Sequence, residues 1–150
     1  MLYIGADHRG FELKEELKRR LEADGLEVED LGNEEFDPAD DYVDFAKAVA
    51  QMVANDSDSK GILICGSGVG VDMAANKVRG ARSCLVFDQK RAIQSREHED
   101  ANIICLASDI LIADDAYEMI KSFIQTPFSG EERHLRRLNK LKELDQFKIR

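Results

Sequence analysis

Short apolar runs alternate along this chain with stretches whose apolar residues recur every three or four positions. Leu2–Ala6 is a strand-length apolar run, and helical spacing follows at Leu13, Leu17 and Leu21, ending near Gly25. Residues 26–31 alternate in character and predict a short second strand. Residues 42–53 place Phe45, Ala46, Val49, Ala50 and Val53 on one helix face, with Asp41 as the expected N-cap. Residues 61–65 and 81–87 read as the third and fourth strands, 88–97 as a polar helix, and 102–107 as the fifth strand. Ala113–Gln125 predicts another helix, and the tail 131–150 reads as helical, with Leu135, Leu138, Leu141 and Leu144. Five strands alternating with helices predict an α/β fold: a single doubly wound, Rossmann-like domain with a five-stranded parallel sheet and helices on both faces. Residues 1–130 would form this layer, and 131–150 a C-terminal helical arm of the same domain, suited to packing on a partner subunit.

Composition narrows the function. At 150 residues the chain can bury one sizeable core, and 43% hydrophobic with 34% charged residues describes an ordinary globular protein. A net charge of −9 argues against nucleic acid as a partner, yet leaves room for a small phosphorylated ligand held by a few local cations. No apolar run approaches the ~20 residues of a membrane span, and residues 1–7 lack the basic start of a secretory signal. A cytoplasmic protein with no membrane partner is therefore expected. Three cysteines, at spacings unlike a zinc site, predict free thiols and no metal centre.

The densest chemistry lies in residues 61–70, GILICGSGVG, where a predicted strand runs into Cys65 and the glycines 66, 68 and 70. Glycines at a strand-to-helix turn let backbone N–H groups approach a ligand, and the helix start favours negative charge there. A thiol beside that field is favoured as thiolate. The spacing is neither the dinucleotide fingerprint, which needs glycine at Val71, nor a P-loop, which needs Gly-Lys-Ser/Thr. Cys84 and Cys105 also sit in apolar runs but lack the glycine loop, so they read as core residues. Cys65 alone reads as a catalytic group, base or nucleophile. Asp7-His8-Arg9 ends the first strand and is expected to share a crevice with Cys65. His98 lies between Glu97 and Glu99, and Arg133 and Arg137 lie one helix turn apart, as a phosphate clamp requires. Pairing of these arginines with surplus carboxylates is the competing reading.

Taken together, Gly5-Ala-Asp-His8, Gly10-Phe-Glu-Leu-Lys14, Asp41-Tyr42, the glycine loop, Ala74-Ala-Asn-Lys77, Ser95-Arg-Glu-His98 and Arg133-His134…Arg137 resemble the ribose-5-phosphate isomerase B / galactose-6-phosphate isomerase family over nearly the whole chain. The resemblance implies a cofactor-independent aldose–ketose isomerase acting through an enediolate, with ribose 5-phosphate as the default substrate. It implies Cys65 as base, Ser67 as helper in proton transfer, and His98 with Asp41 in opening the sugar ring. Asp7 would orient substrate hydroxyls, and Gly66, Gly68, Val69 and Gly70 would hold the enediolate oxygen. His8, Arg133 and Arg137 would hold the phosphate, in a homodimer or dimer of dimers with shared sites. The chain departs from the family pattern at Glu99, commonly asparagine, and at Asp109, commonly arginine; Val43 replaces a common proline. Two acids near a dianion disfavour binding unless Arg9 or Arg136 compensates. Glu99 would then line the substrate site of a different sugar or sugar phosphate; a non-catalytic sugar-phosphate-binding protein is the third reading.

Overall fold

The first apolar run forms strand β1 (Leu2–Ala6), buried along its whole length. Helix α1 (Phe11–Ala23) follows and buries Leu17 and Leu21 against it. The order continues as β2 (Val28–Asp30), α2 (Tyr42–Asn55), β3 (Lys60–Cys65), α3 (Val69–Ala75), β4 (Ser83–Leu85), α4 (Gln89–Glu99), β5 (Ile103–Ala107), α5 (Ala113–Gln125) and α6 (Glu132–Leu144). This is a computed structural model, and it describes residues 1–149. All five strands are parallel, in the order β2-β1-β3-β5-β4. Parallel strands covered on both faces must be apolar throughout, which is why β1, β3 and β5 were visible as unbroken runs.

Two cores flank the sheet. Leu17, Leu21, Ala92, Met119, Ile120 and Phe123 carry α1, α4 and α5 onto one face. On the other face, α2 and α3 pack through Ala46, Val49, Ala50, Val53, Val71 and Ala75. The helices after β1 and β3 therefore leave on opposite faces from neighbouring strands. Such a divergence opens a crevice beyond the carboxyl ends of the two strands.

Several expected boundaries shift. The edge strands β2 and β4 are each three residues long, shorter than predicted. Each has a ladder on one side only, and the flanking residues leave for turns, as where Leu26 N–H bonds the Leu21 carbonyl at the end of α1. Asp41 stands at the start of α2 in extended conformation, but its carboxylate makes no cap bond. The tail is not helical throughout. After α6 comes a 3-10 turn, Asp145–Phe147, and Ile149 then pairs with Val78, bonding Lys77 and Arg79 at 3.2 and 2.7 Å. Arg150, the last residue of the predicted helix, lies outside the described residues.

Candidate active site

At the end of β1, the Asp7 carboxylate accepts the N–H groups of Arg9 and Gly10, each at 3.1 Å, and so shapes the turn into α1. Gly10 is required there, since a Cβ would lie 2.6 Å from the Ile64 carbonyl oxygen of β3. The turn presents His8, whose ring Nδ1 lies 2.7 Å from Asp40 Oδ1; the same oxygen accepts the His8 N–H at 3.0 Å. Asp40 is nearly buried, with a side chain 5% exposed, and Phe36 meets the imidazole edge-on. The pattern gave no sign of Asp40, one acid among several in an acidic loop. Asp7, His8 and Asp40 bring one ligand atom each within 4.8 Å of one another, but both Oδ1 atoms are already engaged with His8, Arg9 and Gly10.

Next to this turn, β3 delivers Cys65, 4% exposed, into the glycine loop. Its Sγ accepts the Gly68 N–H at 3.2 Å, and Ser67 Oγ accepts the Val69 N–H at 3.2 Å. Gly68 takes φ +72°, a conformation strained for any side chain, and a Cβ there would strike Leu85. That kink starts α3 at Val69. Gly70 lies against the Tyr42 ring, which brings the Asp41-Tyr42 end of α2 to the same edge of the sheet. Asp7, His8, Asp41, Cys65, Ser67 and the loop glycines therefore converge at the carboxyl ends of β1 and β3.

Cys84 and Cys105 behave as core thiols. Burial pushes Cys84 up to about 12 and Cys105 well above the usual thiol value, so neither supplies a thiolate near neutrality.

The other expected residues lie elsewhere. His98 belongs to the last turn of α4, where Ala101 and Asn102 lead into β5 and bond Ser95 and Arg82. That is the amino-terminal edge of the sheet, separated from Cys65 by a strand length, on the order of 15 Å. His98 stacks on the buried His134 of α6, with centroids 4.2 Å apart, and His134 Nδ1 lies 2.7 Å from Ser129 Oγ. Arg137 and Glu99 share an open groove of about 640 Å³ with these two rings. Arg133 is exposed and bonds Glu131 at 2.9 Å, as the competing reading allowed. Within one chain the expected site is thus split in two, with Cys65 and Asp41 at one edge and His98, Glu99, Arg133 and Arg137 at the other.

The suspected compensation for Asp109 comes from Arg9, not Arg136: Arg9 Nη2 donates to Asp109 Oδ1 at 2.6 Å.

Residues 2–141 match the family model described as Ribose/Galactose Isomerase. The chain belongs to the ribose/galactose isomerase family. It is 45% identical over 140 residues to the probable ribose-5-phosphate isomerase B of Mycoplasma pneumoniae, covering 93% of this chain and 91% of that one. It is 38% identical over 145 residues to the ribose-5-phosphate isomerase B of Mycobacterium tuberculosis, covering 97% and 90% of the two chains. Its fold matches the ribose-5-phosphate isomerase B of Mycoplasma genitalium, solved with bound ribulose-5-phosphate, at a TM-score of 0.92 and 41% identity, covering 97% and 95%. Membership makes the chain an aldose–ketose isomerase. No described helix is long and apolar enough to cross a membrane.

Proposed function

We propose that this isomerase interconverts ribose 5-phosphate and ribulose 5-phosphate in the cytoplasm, with Cys65 moving the proton. The observation that carries the reading is the buried Cys65 Sγ seated on the Gly68 N–H at the head of the glycine loop. A thiolate there removes the proton from C2 of the open-chain aldose. The electron pair forms the C1–C2 double bond of an enediolate, and the proton returns to C1 while a hydroxyl proton passes between the two oxygens. Ser67, whose Oγ lies at the loop surface, serves that second transfer. Amides of residues 66–70 stabilise the enediolate oxygen, an effect worth about 3–4 kcal/mol for a well-aimed donor.

Asp7 orients substrate hydroxyls, and His8 holds the phosphate together with Arg133 and Arg137. His98, with Asp41, opens the ring. Because these groups occupy opposite edges of one chain, the complete site needs a second copy to bring its α4–α6 groove to the Cys65 crevice. Exposed Val43, Val69 and Met73 beside the crevice, and Leu141 and Leu144 on α6, are apolar surface suited to that contact. Glu99, which makes no ion pair among the described residues, keeps a second reading open: an isomerase for a larger or differently charged sugar.

Incubation with a panel of aldose phosphates and free aldoses, followed by detection of ketose, tests this. Ribose 5-phosphate should turn over fastest, and Cys65→Ala should lower kcat by at least about 100-fold. Undiminished turnover by that variant would remove Cys65 as the base. Faster turnover of a six-carbon phosphate would favour the second reading.

A further inference from the structure

The turn after β1 aims a cation at the glycine loop. With its N–H fixed on Asp7, Arg9 lays its guanidinium against Gly66: a Cβ there would meet Arg9 Nε at 2.6 Å and Cζ at 2.7 Å. Only glycine allows this seat. Asp109 holds the far end of the guanidinium through Nη2, and its own N–H donates to the Gly66 carbonyl at 3.0 Å. Ser108 ties the assembly together, its Oγ donating to the Arg9 carbonyl at 2.8 Å and the Cys65 carbonyl at 3.2 Å. The turns after β1, β3 and β5 are thus locked around one guanidinium.

A salt bridge made only for stability needs none of this. At 57% and 43% side-chain exposure, the Arg9–Asp109 pair contributes little to folding. Meanwhile Nε and Nη1 have no protein partner among the described residues, and they sit beside the loop that carries Cys65 and Ser67. A guanidinium with unused N–H donors suits recognition of a phosphate or carboxylate oxygen. Adjacent His8 brings a second basic side chain to the same turn.

We infer that Arg9 is a substrate-binding residue that grips the phosphate of the sugar, with Asp109 as the positioning residue that keeps its fork beside the loop. The inference rests on the proposed sugar-phosphate chemistry of the same crevice. Asp109 leaves the site without a net repulsive charge because Arg9 neutralises it.

Steady-state kinetics of Arg9→Ala, Arg9→Lys and Asp109→Asn with ribose 5-phosphate and with D-ribose test it. Arg9→Ala should raise KM for ribose 5-phosphate at least tenfold while kcat changes less than threefold. Its loss of kcat/KM should be at least fivefold smaller with D-ribose. Arg9→Lys should recover part of the loss, keeping the charge without the fork, and Asp109→Asn should raise KM less than Arg9→Ala does. A KM for Arg9→Ala within twofold of the parent overturns the inference, as does an equal loss on both sugars. If the parent itself fails to turn over ribose 5-phosphate, the proposed reaction falls separately. Inorganic phosphate then serves as probe by calorimetry: binding weakened at least fivefold in Arg9→Ala and Arg9→Lys sustains the role of Arg9, and unchanged binding ends it.

Discussion

His8 depends on a residue thirty-two positions away. One oxygen of Asp40 accepts the His8 N–H and lies 2.7 Å from its ring Nδ1, so the acid fixes backbone and side chain together. Hydrogen bonds to charged groups are worth about 1.5–3 kcal/mol, enough for a tenfold or larger change in affinity. Asp40→Ala should therefore raise KM for ribose 5-phosphate about tenfold with kcat nearly unchanged, and Asp40→Asn, which still offers an acceptor, should recover much of it. Steady-state kinetics check this; a KM unaffected by Asp40→Ala would leave Asp40 as a purely local prop. No periodicity announces such a residue. Asp40 sits in an acidic loop whose composition suggests only solvation, and its partner is remote in sequence. Cys65 was legible because a buried strand, a thiol and spaced glycines adjoin in ten consecutive residues. The Arg9–Asp109 pair was legible only as one of two possible compensations, by Arg9 or Arg136, since its members are a hundred positions apart and meet only when β1 and β5 end at the same edge.

The elements owe their placement to apolar faces, but α1 also buries a charge. Lys14 is fully buried and donates to Asp30 on β2 at 2.5 Å and to Glu15 at 2.7 Å, while Lys18 reaches Asp30 at 3.1 Å. Burial opposes ionisation of Asp30, but bonds from Lys14, the Gly32 N–H and Lys18 outweigh it and hold its pKa below the usual carboxylate value. A depressed folded-state pKa gives stability that is complete above the unfolded value of about 4 and is lost as pH falls through the folded value. Asp30→Asn should cost up to about 3 kcal/mol at pH 7, since Glu15 still meets Lys14, and the gap from the parent should close in strongly acidic solution. Urea titrations across that range measure it; a pH-independent gap would mean the effect is packing and not charge. The helix α1 itself was readable from Leu13, Leu17 and Leu21, whereas that spacing says nothing of the burial of Lys14. A pattern of residue types cannot tell a solvated lysine from one neutralised by a neighbouring strand. The same reason hid the ends of the edge strands, where a single ladder leaves flanking residues to the turns.

Topology decides what one chain can do alone. In a parallel sheet every strand ends at the same edge, so residues following strands converge, and residues closing the intervening helices collect at the other edge. Cys65 follows β3; His98 closes α4; no rotamer change spans the strand between them. A sequence reading lists both in one site because resemblance carries residues over without their positions in space. The proposed two-fold pair would resolve the conflict, since each copy would offer the other both edges. Mixing then becomes decisive. Cys65→Ala and His98→Asn should each be nearly inactive as purified homodimers. In a heterodimer, one site joins the intact Cys65 of one copy to the intact His98 of the other, and the second site carries both defects. Random re-association gives half heterodimers with one working site in two, so about a quarter of the parent activity should return on co-refolding the two variants. Assay of the mixture against each variant alone, with sedimentation to fix the mass, separates the possibilities. Recovery near a quarter requires a site built from two chains, and a mixture as inactive as its components would confine the working site to one.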